Sequence, residues 1–204
     1  HAHYDIGNRF YELWLDPSMT YSSALFTDPA MSLQQAQQAK YQRICDELQV
    51  APGARLLEIG CGWGGFAELA ATQGAHVTGL TLSTEQLEYA QQRLADAGLS
   101  PSADLRLQDY RDARGEFDGI ASIEMFEAVG EQYWDSYFEC VAQRLKRGAG
   151  FGLERDAGEE LAGRQIVELR GIGDVAALLG QIARDGSHDP APRGALDGQH
   201  VGRR

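Results

Sequence analysis

The chain has 204 residues, enough for one domain with a real core. Hydrophobic residues make up 43% and charged residues 24%, the balance of a folded globular protein rather than a disordered chain. A formal net charge of −12 argues against sequence-independent binding to nucleic acid and against strong electrostatic attachment to anionic lipid.

No apolar run approaches the length of a membrane span, and no signal peptide is recognisable. Cys45, Cys61 and Cys140 lie far apart with no C-x-x-C pair, so neither a disulfide framework nor a zinc site is expected. A reducing cytoplasm fits this usage. The first residue is His1 rather than Met, which suggests a start inside a longer reading frame or after processing.

Residues 1–50 read as a helical N-terminal lid segment. Tyr4, Phe10, Tyr11, Trp14, Tyr21 and Phe26 make its first part dense in aromatics. Asn8 to Leu15 reads as a short amphipathic helix stopped by Asp16-Pro17, and Met19 to Phe26 as an extended or loop stretch. His1, His3 and Asp5 have metal-chelating spacing but sit at a chain end, so no metal site is assigned. A second helix covers Ser32 to Leu48, with Ser32 as N-cap, and Pro52-Gly53 closes it.

From residue 51 to 155 strands and helices alternate, the pattern of an α/β fold with a mostly parallel, doubly wound sheet. The stretch Arg55 to Phe66 reads R-L-L-E-I-G-C-G-W-G-G-F. Its apolar run (Leu56, Leu57, Ile59) suits a buried strand and breaks into Gly60, Gly62, Gly64 and Gly65 before a helical pattern. Glycines are needed where the turn takes angles a Cβ forbids and where a ligand touches the backbone. The second strand, His76 to Leu82, ends on Thr81, not on the acid a dinucleotide ribose requires, and no Gly-Lys-Ser/Thr marks a P-loop. Glu58, just before the glycines, suits a ligand with a cationic end such as S-adenosylmethionine (SAM); its alternative is a solvated strand-end residue.

Ser83 to Ala97 is a helix with capping-box spacing in S-T-E-Q, where Gln86 either caps Ser83 or binds ribose hydroxyls. A short third strand, Leu105 to Leu107, leads to Asp109, which either accepts from an adenine amino group or caps its neighbour. Tyr110 beside it can cover a ring. Phe117 to Ile123 is the fourth strand, Tyr133 to Leu145 the following helix, and Phe151 to Leu153 the start of a fifth. Glu124 and Glu127 follow the fourth strand, where open α/β sheets bind ligands, and either serve as or hold a base or begin a helix as solvated acids. Phe126, Trp134 and Tyr21 are the aromatic side chains expected near them, or part of the core.

Residues 156–204 read as a divergent, partly disordered tail. Every Phe, Trp and Tyr lies at or before Phe151, and 12 of the 24 glycines fall from Gly148 onward. Arg164 to Ala183 has helical spacing weakened by Gly171, Gly173 and Gly180.

Five stretches together resemble the cyclopropane-fatty-acyl-phospholipid synthase family: His3 to Phe26, Leu57 to Ala67, Val77 to Gln86, Leu107 to Asp112, and S-I-E-M-F-E-A-V-G from Ser122. Mycolic-acid methyltransferases and coclaurine-type N-methyltransferases share much of this pattern. The resemblance implies a Rossmann-like SAM-dependent methyltransferase fold and methylene addition across the double bond of an unsaturated acyl lipid or phospholipid. It also implies peripheral contact with the inner membrane face and a bicarbonate base. Carried over, Tyr21, Ser22, Gly60, Gly62, Thr81, Gln86 and Tyr110 touch SAM, and Glu127 matches the bicarbonate-binding glutamate. The motif cysteine is Ser23 here, and Ala128 stands where many relatives have histidine. Similarity fades after Lys146: Arg147-Gly148-Ala149-Gly150 replaces a P-G-G turn and Leu153-Glu154-Arg155 an H-T-I strand, so the last strands are expected to be lacking. A frameshifted or aberrant end, an inactive SAM-binding remnant and an amine N-methyltransferase are the alternatives that remain.

Overall fold

The computed structural model describes residues 7–154, apart from the side chains of Glu127, Glu131 and Glu154. The His1, His3 and Asp5 set, the helix expected over 164–183 and the tail lie outside the described residues. Ten elements follow in order: α1 (Asn8–Tyr11), α2 (Leu33–Glu47), β1 (Arg55–Ile59), α3 (Gly65–Thr72), β2 (His76–Thr81), α4 (Thr84–Asp96), β3 (Ala103–Leu107), β4 (Phe117–Ile123), α5 (Trp134–Arg144) and β5 (Leu145–Glu154).

The five strands form one sheet in the order β3-β2-β1-β4-β5. Every neighbouring pair is parallel, with Leu57 opposite Thr78 on one side of β1 and Ile120 on the other. The chain winds outward from β1 through β2 to β3, then returns to the far side of β1 with β4. That reversal opens a crevice beyond the C-terminal ends of β1 and β4.

Side-chain alternation assigns the two faces. Leu57, Ile59 and Ile120 join Tyr137, Phe138 and Val141 of α5 in one core layer. Leu56, Val77 and Leu105 join Ile44 and Leu48 of α2, Phe66 of α3 and Leu94 of α4 in the other. Small residues let α2 settle on the sheet: a Cβ at Gly150 would stand 3.4 Å from Leu48 Cδ2, and one at Gly152 3.3 Å from Ile44 Cγ2.

The capping box at Ser32 forms, whereas at Ser83 the serine half forms and the Gln86 side chain accepts from Thr81 instead of capping Ser83. Ser32 Oγ accepts from Gln35 N at 3.2 Å while Gln35 Oε1 accepts from Ser32 N at 2.8 Å, and Ser83 Oγ accepts from Gln86 N at 3.3 Å. Three boundaries differ from the sequence reading. The first helix is a single turn, because Gly7 offers no capping side chain and Leu13 and Trp14 bond three residues back, to Phe10 and Tyr11. β3 starts two residues earlier than expected. β5 begins directly at Leu145, with a register shift between Phe117 and Gly119 and Gly148 at φ 82, so the glycine-rich stretch forms an irregular strand rather than a turn.

The segment before α2 is fastened at several points. Trp63 Nε1 donates to Asn8 Oδ1 at 2.7 Å, and its ring lies 4.8 Å from that of Tyr11. Arg93 Nη1 donates to Ser18 O at 2.7 Å. Lys40 of α2, only 2% exposed, donates from Nζ to Ser22 Oγ and, at 2.8 Å, to Ser23 O. Gln37 Nε2 adds a bond to Ser22 O at 2.7 Å. Lys40→Met is therefore expected to speed amide exchange around residues 20–25, with exchange in β1 unchanged, as read by hydrogen–deuterium exchange.

Gly64 sets how closely α3 and α4 approach. It takes φ 82, and a Cβ there would lie 2.9 Å from Ala90 Cβ. Gly64→Ala should lower unfolding free energy by about 2–4 kcal/mol, strain and overpacking together. Gly98→Ala, also at positive φ but with nothing within 4 Å, should lose only about 1 kcal/mol. Urea unfolding of the two variants checks the difference.

Candidate active site

A cavity of about 370 Å³ opens at the crevice between β1 and β4. Its floor is the turn from β1 into α3, its sides are the ends of β2, β3 and β4, and Met19 to Ser22 cover it. Of the residues singled out in the sequence, Tyr21, Ser22, Glu58, Gly60, Gly62, Thr81, Gln86 and Tyr110 line it together.

The glycines of the turn divide their work. A Cβ at Gly62 would meet nothing within 4 Å, so this backbone (φ 50) borders open space. Gly60 also lines the cavity, whereas Gly64 does not and packs on Ala90 as described.

Glu58 is not a solvated strand-end residue. Strand parity puts it on the same face as Leu56, where it is 3% exposed. Burial pushes its pKa up to about 8, although the Ala67 N–H donates to it. Its Oε2 has no hydrogen-bond partner among the described residues. A buried acceptor without a partner is costly, and a cationic donor at the cavity would satisfy it. Cys61 and Cys45 nearby are also raised, chiefly by burial, Cys45 to about 12, so neither is a thiolate at neutral pH.

At the end of β2, Thr81 Oγ1 donates to Gln86 Oε1 at 2.9 Å and accepts from Ser83 N at 3.2 Å. This fixes Gln86 at the N-terminus of α4, with its amide nitrogen as the remaining donor at the wall. Tyr110 presents a ring braced edge-on by Tyr137 at 5.0 Å. Asp109 beside it does not line the cavity. Its carboxylate accepts from Arg111 Nη2 at 2.7 Å, Nε at 2.8 Å and N at 2.9 Å, which holds its pKa below the usual range. Its capping alternative is the one realised, and Gln108 takes the place at the wall.

Past β4, Glu127 lies in the 3-10 turn Phe126–Ala128, and its side chain lies outside the described set. Phe126 belongs to the core, 5.1 Å from the Trp134 ring and 5.2 Å from that of Phe138. Glu124 does line the cavity, at φ 47. A non-glycine residue there costs about 1–3 kcal/mol, the kind of strain that gathers at functional sites. Its Oε1 accepts from both Ser23 N, at 2.7 Å, and Ser23 Oγ.

Lys40, Gln37 and Trp63 were not singled out by the sequence reading. The signal for Lys40 was a lone lysine on the face of α2 that carries Ala36 and Ile44.

The residues present fit SAM: an open glycine backbone, a partnerless buried carboxylate oxygen, a polar amide at a helix N-terminus and an aromatic face border one cavity. They do not fit bicarbonate at Ser23, whose amide and hydroxyl both donate to Glu124. Among the described residues no group of three His, Cys, Asp or Glu is placed to hold a metal, and no helix is long and apolar enough to cross a membrane.

Comparison with known proteins agrees with this architecture. The family model described as "Mycolic acid cyclopropane synthetase" matches residues 1–157. A probable fatty acid methyltransferase of Mycobacterium tuberculosis is 46% identical over 149 residues, covering 72% of this chain and 35% of the relative. The cyclopropane-fatty-acyl-phospholipid synthase of Escherichia coli K12 is 46% identical over 145 residues, covering 71% and 37%. The chain thus spans little more than a third of the length of these relatives. The crystal structure of mycolic acid cyclopropane synthase CmaA1 complexed with SAH and CTAB superposes with a TM-score of 0.72 at 29% identity, over 88% of this chain and 72% of that one. With its all-parallel α/β sheet and its crevice at the β1–β4 reversal, the chain belongs to the mycolic acid cyclopropane synthetase family.

Proposed function

We propose that this chain carries the cofactor site of a SAM-dependent enzyme that adds a one-carbon unit to the double bond of an unsaturated acyl chain, carried on a phospholipid. The observation behind this reading is the pairing of Glu58, buried with a partnerless oxygen, with the open backbone at Gly62. Glu58 would receive the cationic amino-acid end of the cofactor, Gly60 and Gly62 would pass beneath it, Gln86 would hold ribose hydroxyls and Tyr110 would cover the base. When bound, SAM supplies an electrophilic methyl group. The chain's own part is to orient that group and exclude water, and the cover of Met19 to Ser22 serves the second task.

The acyl-lipid reading rests on family membership and on the surface around the cover. Phe10, Leu13 and Trp14 are 47%, 81% and 50% exposed. Trp14 stands edge-on to Tyr21, which lines the cavity, at 5.3 Å. An exposed aromatic group next to the entrance suits a peripheral contact with a bilayer surface.

Two measurements test this reading. Titration with S-adenosylhomocysteine (SAH) should show binding, and vesicles of unsaturated phospholipid with SAM should yield acyl chains one methylene heavier. No binding overturns the assignment; binding with turnover only on an amine supports N-methyl transfer instead.

Glu58 also gives binding and stability a pH dependence. In the folded chain it keeps its proton up to about pH 8, against an ordinary 4.5. The fold therefore holds a proton the unfolded chain lacks. The resulting stabilisation is complete below about pH 4.5 and lost as pH rises through about 8. Glu58→Gln should flatten this decline in urea-unfolding curves. Pairing with an ammonium needs the ionised form, so SAH binding should release a proton and tighten as pH rises towards 8. Calorimetry in buffers of different ionisation enthalpy reads that proton directly.

A further inference from the structure

We infer that Glu124 fills the anion seat formed by Ser23 and is itself the group that takes the proton at ring closure, so that this chain uses no external bicarbonate there. The inference rests on the acyl-lipid reading above. Three observations carry it. Ser23 N and Oγ both donate to one oxygen, Oε1, of Glu124. Both of these bonds fall on Oε1, and the residue lines the cavity beside Met125 and Gly60. Finally, the seat is held from behind: Ser23 O accepts from Lys40 Nζ at 2.8 Å, and Gln37 Nε2 holds Ser22 O at 2.7 Å. Two donors on one oxygen fix the carboxylate and leave the other oxygen as the base. The left-handed backbone of Glu124 is what turns this side chain across the crevice to a segment 101 residues away in sequence.

The step balances without a further reactant. After a methyl group has joined one alkene carbon, its neighbour is electron-deficient. Glu124 Oε2 takes a proton from the new methyl group, and the C–H electron pair forms the C–C bond that closes the ring. Glu124 is left as the carboxylic acid and returns its proton to water. Without the base, water captures the cation instead: a C–O bond forms, a proton leaves, and the product is the methyl-bearing alcohol.

The test uses the full chain with vesicles of unsaturated phospholipid, adding SAH and carbon-13-labelled bicarbonate to read line widths and SAM to read turnover and product. The wild type should leave the bicarbonate NMR line sharp and turn over equally with and without added bicarbonate. Glu124→Gln, which keeps an acceptor for Ser23, should bind SAH as the wild type does. Its ring-closing rate should fall by about 100-fold or more, and its product should shift to the alcohol. Glu124→Gly, suited to the same backbone angle, frees the seat and should broaden the bicarbonate line. Three results overturn the inference: bicarbonate broadening in the wild type that Ser23→Ala removes, a bicarbonate requirement for turnover, or a Glu124→Gln variant with wild-type rate and product. A wild type that binds SAH without acting on the lipid overturns the acyl-lipid reading, and the line widths alone then decide what fills the seat.

Discussion

The structure depends on keeping one stretch of main chain bare. Between β1 and α3 the backbone at Gly60 and Gly62 borders a cavity, while Gly60 N and Cys61 N are tied to Leu80 O. Ala90 and Tyr41 close in where a glycine leaves room, at Gly64 and Gly65. Trp63, in the middle of the turn, also lines the cavity and receives Asn8 and Tyr11 from the covering segment. The same turn that borders the cavity thus also anchors its cover.

Charge within this setting is arranged sparingly. Glu58 sits in the helix-packed layer with one backbone donor and an oxygen left without a partner, an arrangement that favours the neutral acid until a cation arrives. Asp109, which follows β3 two strands away, has the opposite fate, because Arg111 two residues on holds its carboxylate. The two acids thus differ through their burial and their partners.

Much of the fold could be read from the sequence, since the features that betray it are local. The apolar run before the glycines, the capping residues Ser32 and Ser83 and the strand–helix alternation each depend on residues a few positions apart. What escaped reading depends on partners distant in sequence or on backbone angles. The pattern of glycines does not say which of Gly62 and Gly64 faces open space, because that is decided by Ala90 on another helix. Asp109 keeps two readings in the sequence, adenine recognition and capping, because a guanidinium two residues away is as easily a solvated neighbour as a partner. Glu124 carried no sign of its left-handed conformation, and β5 was under-read because glycines that usually break strands here form an irregular one. The role of Ser23 needed Lys40, Gln37 and Glu124 from three places in the chain.

Helix α2 reaches both the last strand and the segment that covers the crevice. Near its C-terminal end Leu48 rests over Gly150 on β5, and two turns earlier Lys40 grips Ser22 and Ser23. The helix is a stiff strut between them, so the height of the canopy above the crevice is set by how little bulk lies beneath its far end. A shift of β5 would thereby be carried along the helix to the mouth of the cavity.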